Sequence, residues 1–347
     1  MSNLLQEIRL FHMWRWIVRK SDWRARGWIA GGDIEHDPPI DAVITWVDGN
    51  DPAHIAKREQ FLIGSRDEAV SEATLPKRWV GANELAICVR SLERNAPWIR
   101  TVWIVTDDQT PDLSYCSDTV QKKIRIVSHH HIFRQFGDYL PTFNSICIES
   151  MMWRIEGLAE RFIYFNDDFF LLNPIKKGDF FKGDKTVLRG RWKKLSKRCG
   201  EDFLKLNFYR NHKVNAGRMV EFDVNNFFSL AHVASPMRKS VLADYFRDHP
   251  MRLVDNIRHR FRVQDQFHPP SLFSNIEIVK GRALFVRRRD WFNFSSRFCT
   301  RRQYLTPMVL LLILKFARFR ILCINDLNVI EARSKRFRRV LEWAITT

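Results

Sequence analysis

The chain has 347 residues, 45% hydrophobic and 13% aromatic, with 57 Lys and Arg against 39 Asp and Glu. That length suits one large domain or two moderate ones with a sizeable core. The formal net charge of +18 implies an anionic partner: nucleic acid, an anionic membrane surface, a polyanionic polymer or a phosphorylated substrate. Cys88, Cys116, Cys147, Cys199, Cys299 and Cys323 show no CxxC or CxxH spacing. They indicate neither a zinc site nor a compact disulfide framework, so a reducing compartment is expected.

Residues 1–36 form a basic segment in which Trp14, Trp16, Trp23 and Trp28 mix with Arg and Lys at roughly helical spacing. Such a segment lies in a membrane interface or packs its Trp face onto the domain. Arg9, Arg15, Arg19 and Lys20 interrupt its apolar stretch, so no signal peptide is expected. Gly31-Gly32 and Asp37-Pro38-Pro39 read as a linker into a domain spanning 37–330. Strands are predicted at 41–47, 101–106, 123–127 and 161–165, and helices at 83–95 and 144–155. This alternation indicates an α/β domain, a mostly parallel sheet flanked by helices, with a mainly helical C-terminal part. Residues 175–220, rich in Lys and Arg, read as an exposed basic excursion. Helix-like segments follow at 225–234 and 239–246, and 331–347 reads as a basic amphipathic helix. The longest apolar run, Met308 to Leu314, is too short to span a bilayer.

Ligands of such sheets bind beyond the carboxyl ends of the strands. Here those ends carry Asp48, Asp107 with Asp108, and Asp167 with Asp168. The last pair, in Asn166-Asp167-Asp168, sits between the apolar runs Phe162–Phe165 and Phe169–Leu172. Two carboxylates wedged there are costly to desolvate unpaired, and a hard divalent cation such as Mg²⁺ removes most of that cost. A plain solvated Asn-Asp turn is the alternative. No Walker loop, Gly-rich dinucleotide turn, HExxH or GxSxG occurs. What remains is a set of polar residues in apolar contexts: Glu84 and Arg90 on one helix, Asn144, His232, Arg262, and Asn325-Asp326.

Together these residues carry a resemblance. Asp41-Ala-Val-Ile-Thr-Trp-Val-Asp-Gly is similar to the first signature block of the Stealth proteins. Glu84-Leu, Arg90-Ser-Leu-Glu, Ala96-Pro-Trp-Ile-Arg, Ile104-Val-Thr-Asp, Leu140-Pro-Thr-Phe-Asn-Ser, Ile148-Glu and Phe162-Ile-Tyr-Phe-Asn-Asp-Asp resemble the long second block. His232, Pro236, Lys239, Arg262 and Asp265 resemble the third, and Ile324-Asn-Asp the fourth. The loop after Val127 departs from the pattern, with His129-His130-His131 where one histidine is usual; these three are read as structural or surface residues. The resemblance covers about residues 40 to 330.

Stealth proteins include bacterial capsular polysaccharide phosphotransferases and the catalytic chain of the lysosomal-enzyme N-acetylglucosamine-1-phosphotransferase. The resemblance implies a Rossmann-like fold of the nucleotide-sugar transferases (GT-A-like) and transfer of a sugar 1-phosphate from a nucleotide sugar, such as a UDP-sugar, to an acceptor hydroxyl. A nucleoside monophosphate leaves. The implied acceptor is a growing capsular or cell-surface polysaccharide, and the implied place is the cytoplasm or the inner face of a bacterial membrane. Asp167, Asp168 and Asp326 would hold Mg²⁺ or Mn²⁺ against the diphosphate. His232 would serve as general base or as covalent nucleophile, Arg262 would clamp phosphate, and Asp168 would share the catalytic work. Asp48, Arg90, Asp107, Asn144 and Asn166 would bind the donor. Two other readings stand beside this one. An ordinary metal-dependent glycosyltransferase would release a nucleoside diphosphate, and a non-catalytic basic protein would bind membrane or nucleic acid. Strands that read as buried disfavour nucleic acid.

Overall fold

The computed structural model describes residues 38–62, 83–193, 208–222, 226–286, 288–296 and 306–347. The Trp-rich segment, Cys199, Cys299 and the basic residues Lys194, Lys197 and Arg198 lie outside the described residues. The predicted strands all form, as β1 (Ile40–Thr45), β2 (Val102–Thr106), β3 (Ile124–Ser128) and β4 (Arg161–Asn166). Each is a short run rich in Val, Ile, Thr or Phe, side chains that pack well on a pleated surface. After the Asp167-Asp168 turn come β5 (Phe169–Leu171), β6 (Phe181–Lys182), β7 (Lys185–Leu188) and β8 (Gly190–Lys193). β9 (Phe227–Leu230), β10 (Ser235–Arg238), β11 (Ala283–Phe285), β12 (Trp291–Phe294) and β13 (Ile321–Ile324) complete the strands.

The central sheet has the order β10-β4-β1-β2-β3. β4, β1, β2 and β3 are parallel, and β10 adds antiparallel to β4. Both faces of β1 are covered, so all six of its residues are buried, the polar Asp41 and Thr45 included, rather than alternating with exposed ones. Ile40, Ala42 and Ile44 point to one core and Val43 to the other, as the two-residue period of a strand requires. The helix Glu84–Asn95 supplies Leu85, Cys88 and Leu92 to the first core. The helix Ser145–Met151 supplies Cys147, Ile148 and Met151 to the second. From β1 the chain runs outward to β2 and β3, then returns to β4 on the other side of β1. The switch in direction therefore falls between β1 and β4, where a parallel sheet opens a crevice at its carboxyl edge. Thr45 lies opposite Asn166 at that edge.

A second sheet, β12-β13-β5, is built directly on the turn that ends β4, because β5 starts one residue beyond Asp168. The C-terminal helix Phe337–Thr346 buries Phe337, Leu341, Ala344 and Ile345 in the same core as Ile40 and Ile44. Asn95 binds that helix to β5 by donating to the carbonyls of Ile345 at 2.9 Å and Leu171 at 2.8 Å.

Two expectations are corrected. Within the span 175–220, the described residues 175–193 and 208–220 are not an exposed excursion: Ile175, Phe180, Phe181, Val187 and Leu188 are buried, and β6, β7, β8 and the helix Phe208–Arg218 form there. The charges there hid a strand pattern, because one of them, Arg189, points inward. Residues 225–234 are not helical either. Phe227–Leu230 is a strand paired with β8, and His232 lies in the loop to β10. Aromatic residues favour extended structure when a partner strand is available.

Arg189 is 2% exposed and meets Asp290 through two parallel bonds, Nε to Oδ1 at 3.0 Å and Nη2 to Oδ2 at 2.8 Å. Its Nη1 donates to the carbonyl of Asp179 at 3.1 Å, and its guanidinium covers the ring of Phe180. Removing one partner leaves an uncompensated buried charge, worth about 3–5 kcal/mol. Asp290→Ala is expected to lower the free energy of unfolding by that amount in urea denaturation. Arg189→Met with Asp290→Leu is expected to lose less than the single variant.

Candidate active site

β4 delivers Asn166-Asp167-Asp168 to the carboxyl edge of the sheet, and the antiparallel pairing of β5 with β13 fixes what faces it. Cys323 lies opposite Phe169, and the Ile324 amide donates to the carbonyl of Asp168 at 3.0 Å. The Cys323 thiol consequently donates to Asp168 Oδ2 at 3.4 Å. His232 arrives from the loop between β9 and β10, its ring edge-on to Phe169 at 5.0 Å between centroids. Asp168, His232 and Cys323 each offer one ligand atom, and these atoms lie within 4.8 Å of one another. This is the close group among the described residues, and it differs from the expected set of Asp167, Asp168 and Asp326. Asp326 stands at the N-cap position of the helix Leu327–Arg333 without a side-chain capping bond, and its Oδ2 accepts from Ser296 at 2.9 Å. It reaches Asp168 through its charge rather than by contact.

Burial holds the carboxyls of both Asp167 and Asp168 well above the usual carboxylate range. For Asp167 the neighbouring charges of Asp168 and Glu84 add to this. For Asp168 the Cys323 hydrogen bond opposes it, while Glu84 and Asp326 reinforce it. Asp168 Oδ1 is buried without a hydrogen-bond partner. An orphaned carboxylate oxygen amid several acidic groups is what a divalent cation satisfies, so these residues fit one. Burial also pushes the His232 imidazole down to about 3, with Lys213 and Arg262 adding to the effect. The ring is therefore neutral, with a free lone pair at neutral pH.

A polar layer from the helix Ser145–Met151 backs this group. Arg262 Nη2 donates to Ser145 Oγ at 2.6 Å. Glu149 accepts from the Tyr164 hydroxyl at 3.0 Å and lies 3.6 Å from His268 Nε2. Burial raises Glu149 to about 7, against the pull of Arg262 and the bonds from Tyr164 and Ser145. The Tyr164 hydroxyl also lies against Asn166 Oδ1 and shares a bond with Thr45 Oγ1, which joins the Arg262 layer to the acidic turn. The ring of Tyr209 lies edge-on to His232 at 5.0 Å and to His268 at 5.7 Å. Asn144, expected at the donor, makes its hydrogen bonds within the protein. It is fully buried and caps its helix by accepting from the Ile146 amide. Both Nδ2 hydrogens are taken, by the His259 carbonyl and Gln266 Oε1, which anchors the loop carrying Arg262.

Asp107 belongs to a separate cluster at the end of β2. Its Oδ2 is 3.1 Å from His54 Nδ1 and 3.0 Å from Lys57 Nζ, both on the helix Pro52–Leu62. His129 Nδ1 is 3.7 Å from Oδ1. Burial opposes ionisation, yet His54, Lys57 and His129 hold Asp107 well below the ordinary carboxylate range. Asp48 is tied to Gln109, whose Oε1 accepts from its amide at 2.8 Å and whose Nε2 donates to its carbonyl at 3.1 Å. Arg90 reaches Glu342 of the C-terminal helix at 3.8 Å and is not joined to the Asp168 group by any recorded contact. Sequence reasoning missed Glu149, Tyr164, Tyr209, His268 and Cys323. Only Glu149 and Cys323 had a local signal, as polar residues set inside apolar runs.

His129 is buried, and desolvation lowers it from 6.5 to about 4. A neutral buried histidine favours the folded state fully above pH 6.5, and that contribution is lost as pH falls through 4. Urea denaturation at pH 7, 5.5 and 4 is expected to show a steeper acid loss for the wild type than for His129→Gln. The difference is on the order of 1–3 kcal/mol across the window.

The models for Stealth protein CR1, conserved region 1, and Stealth protein CR2, conserved region 2, match residues 38–66 and 78–188. An exopolysaccharide phosphotransferase of Streptomyces coelicolor is 34% identical over 252 residues, 71% of this chain and 41% of that protein. A capsular polysaccharide phosphotransferase of Actinobacillus pleuropneumoniae is 29% identical over 242 residues, 66% of this chain and 62% of that protein. The chain thus spans less than two thirds of the length of these relatives. Among solved structures, the galactosyltransferase LgtC in complex with donor and acceptor sugar analogs aligns with a TM-score of 0.42 and 12% identity, over 88% of this chain and 96% of that one. The matched regions contain Asp48, Arg90, Asp107, Asn144 and the Asn166-Asp167-Asp168 turn, while His232, Arg262 and Asp326 fall beyond them. The chain thus carries the first two conserved regions of the Stealth proteins.

Proposed function

We propose that the chain transfers a sugar 1-phosphate from a nucleotide sugar, a UDP-sugar by preference, to a hydroxyl of a capsular or cell-surface polysaccharide. The observation that carries this reading is a neutral, half-buried histidine within 4.8 Å of a carboxylate from the acidic turn. An ordinary glycosyltransferase leaves the phosphates untouched and has no need of a base beside them. The acceptor O–H loses its proton to a His232 ring nitrogen as its oxygen bonds to the sugar-linked phosphorus. The bond between the two phosphates breaks, and the nucleoside monophosphate leaves with the electron pair. Arg262 lies within electrostatic reach of His232 and is oriented by Ser145 to meet phosphate oxygens bidentately. An arriving phosphate also raises the basicity of His232, bringing it toward the range useful for proton transfer.

Asp167 and Asp168 would hold Mg²⁺ or Mn²⁺, assisted by the charge of Asp326. Such an ion neutralises the diphosphate and stabilises the departing nucleotide. Asp48 and Asn166, at the ends of the switch-point strands, would orient the donor, and Asp107 would shape the adjoining wall. Arg191 and Lys193 are exposed on β8 and would attract an anionic acceptor, as a screened and salt-sensitive effect. No helix among the described residues is long and apolar enough to cross a membrane. Arg339 and the exposed Trp343 of the C-terminal helix would support peripheral contact with the inner face of a bacterial membrane.

Incubation of purified protein with nucleotide sugars, a divalent metal and polysaccharide acceptor is expected to release nucleoside monophosphate. Release of diphosphate instead would overturn this reading in favour of an ordinary glycosyltransferase. His232→Gln is expected to lower the rate by about 10²- to 10⁴-fold, the usual share of general-base catalysis. Retention on anionic liposomes should fall as salt rises; retention indifferent to salt or to lipid charge removes the membrane contact.

A further inference from the structure

The group at Asp168 brings together three different donor types. Asp168 offers a carboxylate oxygen, His232 an imidazole nitrogen and Cys323 a sulfur, within 4.8 Å of one another. Hard cations such as Mg²⁺ take oxygen ligands and avoid sulfur, whereas Zn²⁺ takes all three. Two of the three side chains are also short of partners. Asp168 Oδ1 is buried with none, and no hydrogen bond is recorded for the ring nitrogens of His232 among the described residues. The Cys323 thiol, fully buried, is turned to Asp168 Oδ2 and Asn325 Oδ1 at 3.4 and 3.5 Å.

We propose that Asp168, His232 and Cys323 form a site for a borderline divalent cation of the Zn²⁺ type, and that this site excludes the hard cation because both need Asp168. Three protein ligands leave one tetrahedral position open toward the crevice, as in zinc sites that keep a water or substrate. Metal–ligand bonds of about 2.0–2.3 Å place tetrahedral ligand atoms about 3.3–3.8 Å apart; Cys323 Sγ and Asp168 Oδ2 already stand at 3.4 Å, and all three donors lie within 4.8 Å. The bond to sulfur forms as the thiol gives up its proton to solvent. Nitrogen and sulfur donors also place Zn²⁺ above Mn²⁺ in affinity. Once the ion is seated, the His232 lone pair is committed to it and no longer accepts a proton. Zn²⁺ therefore inhibits the enzyme, a consequence that rests on the proposed phosphotransfer, whereas the binding itself does not.

The full chain, stripped of metal and titrated with Co²⁺ alone, tests the site. A thiolate-to-cobalt charge-transfer band in the near ultraviolet is expected, saturating at one ion per chain and erased by one equivalent of Zn²⁺. Cys323→Ser, with folding checked by thermal melting, should lose the band and bind Zn²⁺ at least about 10-fold more weakly, since even outer-shell changes cost 10- to 100-fold. His232→Gln should weaken Zn²⁺ binding by a similar factor while keeping sulfur in the spectrum. Cobalt binding without a thiolate band, or a band that survives Cys323→Ser, overturns the proposal. If Zn²⁺ binds as described yet leaves nucleoside monophosphate release unaffected, the site stands and the role of His232 as base falls.

Discussion

The structure turns on one uncomfortable arrangement: two adjacent carboxylates, Asp167 and Asp168, held half-buried at the carboxyl edge of a parallel sheet. Desolvating such groups costs several kcal/mol each, and Glu84 and Asp326 add repulsion. The backbone leaves them little freedom to escape. β4 fixes one side of the turn through its parallel register with β1, and β5 fixes the other through its pairing with β13. Both strands are anchored in the apolar core that also takes in the C-terminal helix. The core thus sustains an electrostatic cost at the site, as functional sites commonly require.

A contrast within the same sheet sets this arrangement apart. Asp107, at the end of β2, meets His54, Lys57 and His129 from its own chain and is held ionised. Asp167 and Asp168, at the end of β4, are pushed in the opposite direction. The first carboxylate has its countercharge built in and stabilises the fold. The second pair has acidic neighbours in Glu84 and Asp326 instead. Perturbed groups of this kind, gathered in a crevice with a neutral histidine, mark a reactive centre more reliably than acidic residues counted along the chain.

The polar layer behind the centre gives it rigidity. Asn144 ties the loop of Arg262 to the start of a helix, and Tyr164 links Glu149 to Asn166. Side chains placed this way are oriented before any substrate binds, which is the condition for electrostatic stabilisation without reorganisation. A layer of this kind is also why single substitutions among these residues couple to one another.

Much of this was legible in the sequence, for a local reason. Strand periodicity, the helix before β2 (Glu84–Asn95) and the acidic strand ends depend on neighbours in the chain, and so β1 to β4 and the Asn166-Asp167-Asp168 turn could be read directly. The motif resemblance added His232, Arg262 and Asp326, far along the chain. Other features depend on pairing partners that no local pattern encodes. Residues 227–230 became a strand because β8 was available beside them, and the basic stretch 175–193 folded inward because Asp290 neutralises Arg189. Cys323 faces Asp168 only through the antiparallel register of β13 with β5, across 155 residues of chain. The sequence alone determined which residues end the strands and what charge they bring. Tertiary structure decided which of those charges are paired, because desolvation and countercharge depend on distances through space rather than along the chain.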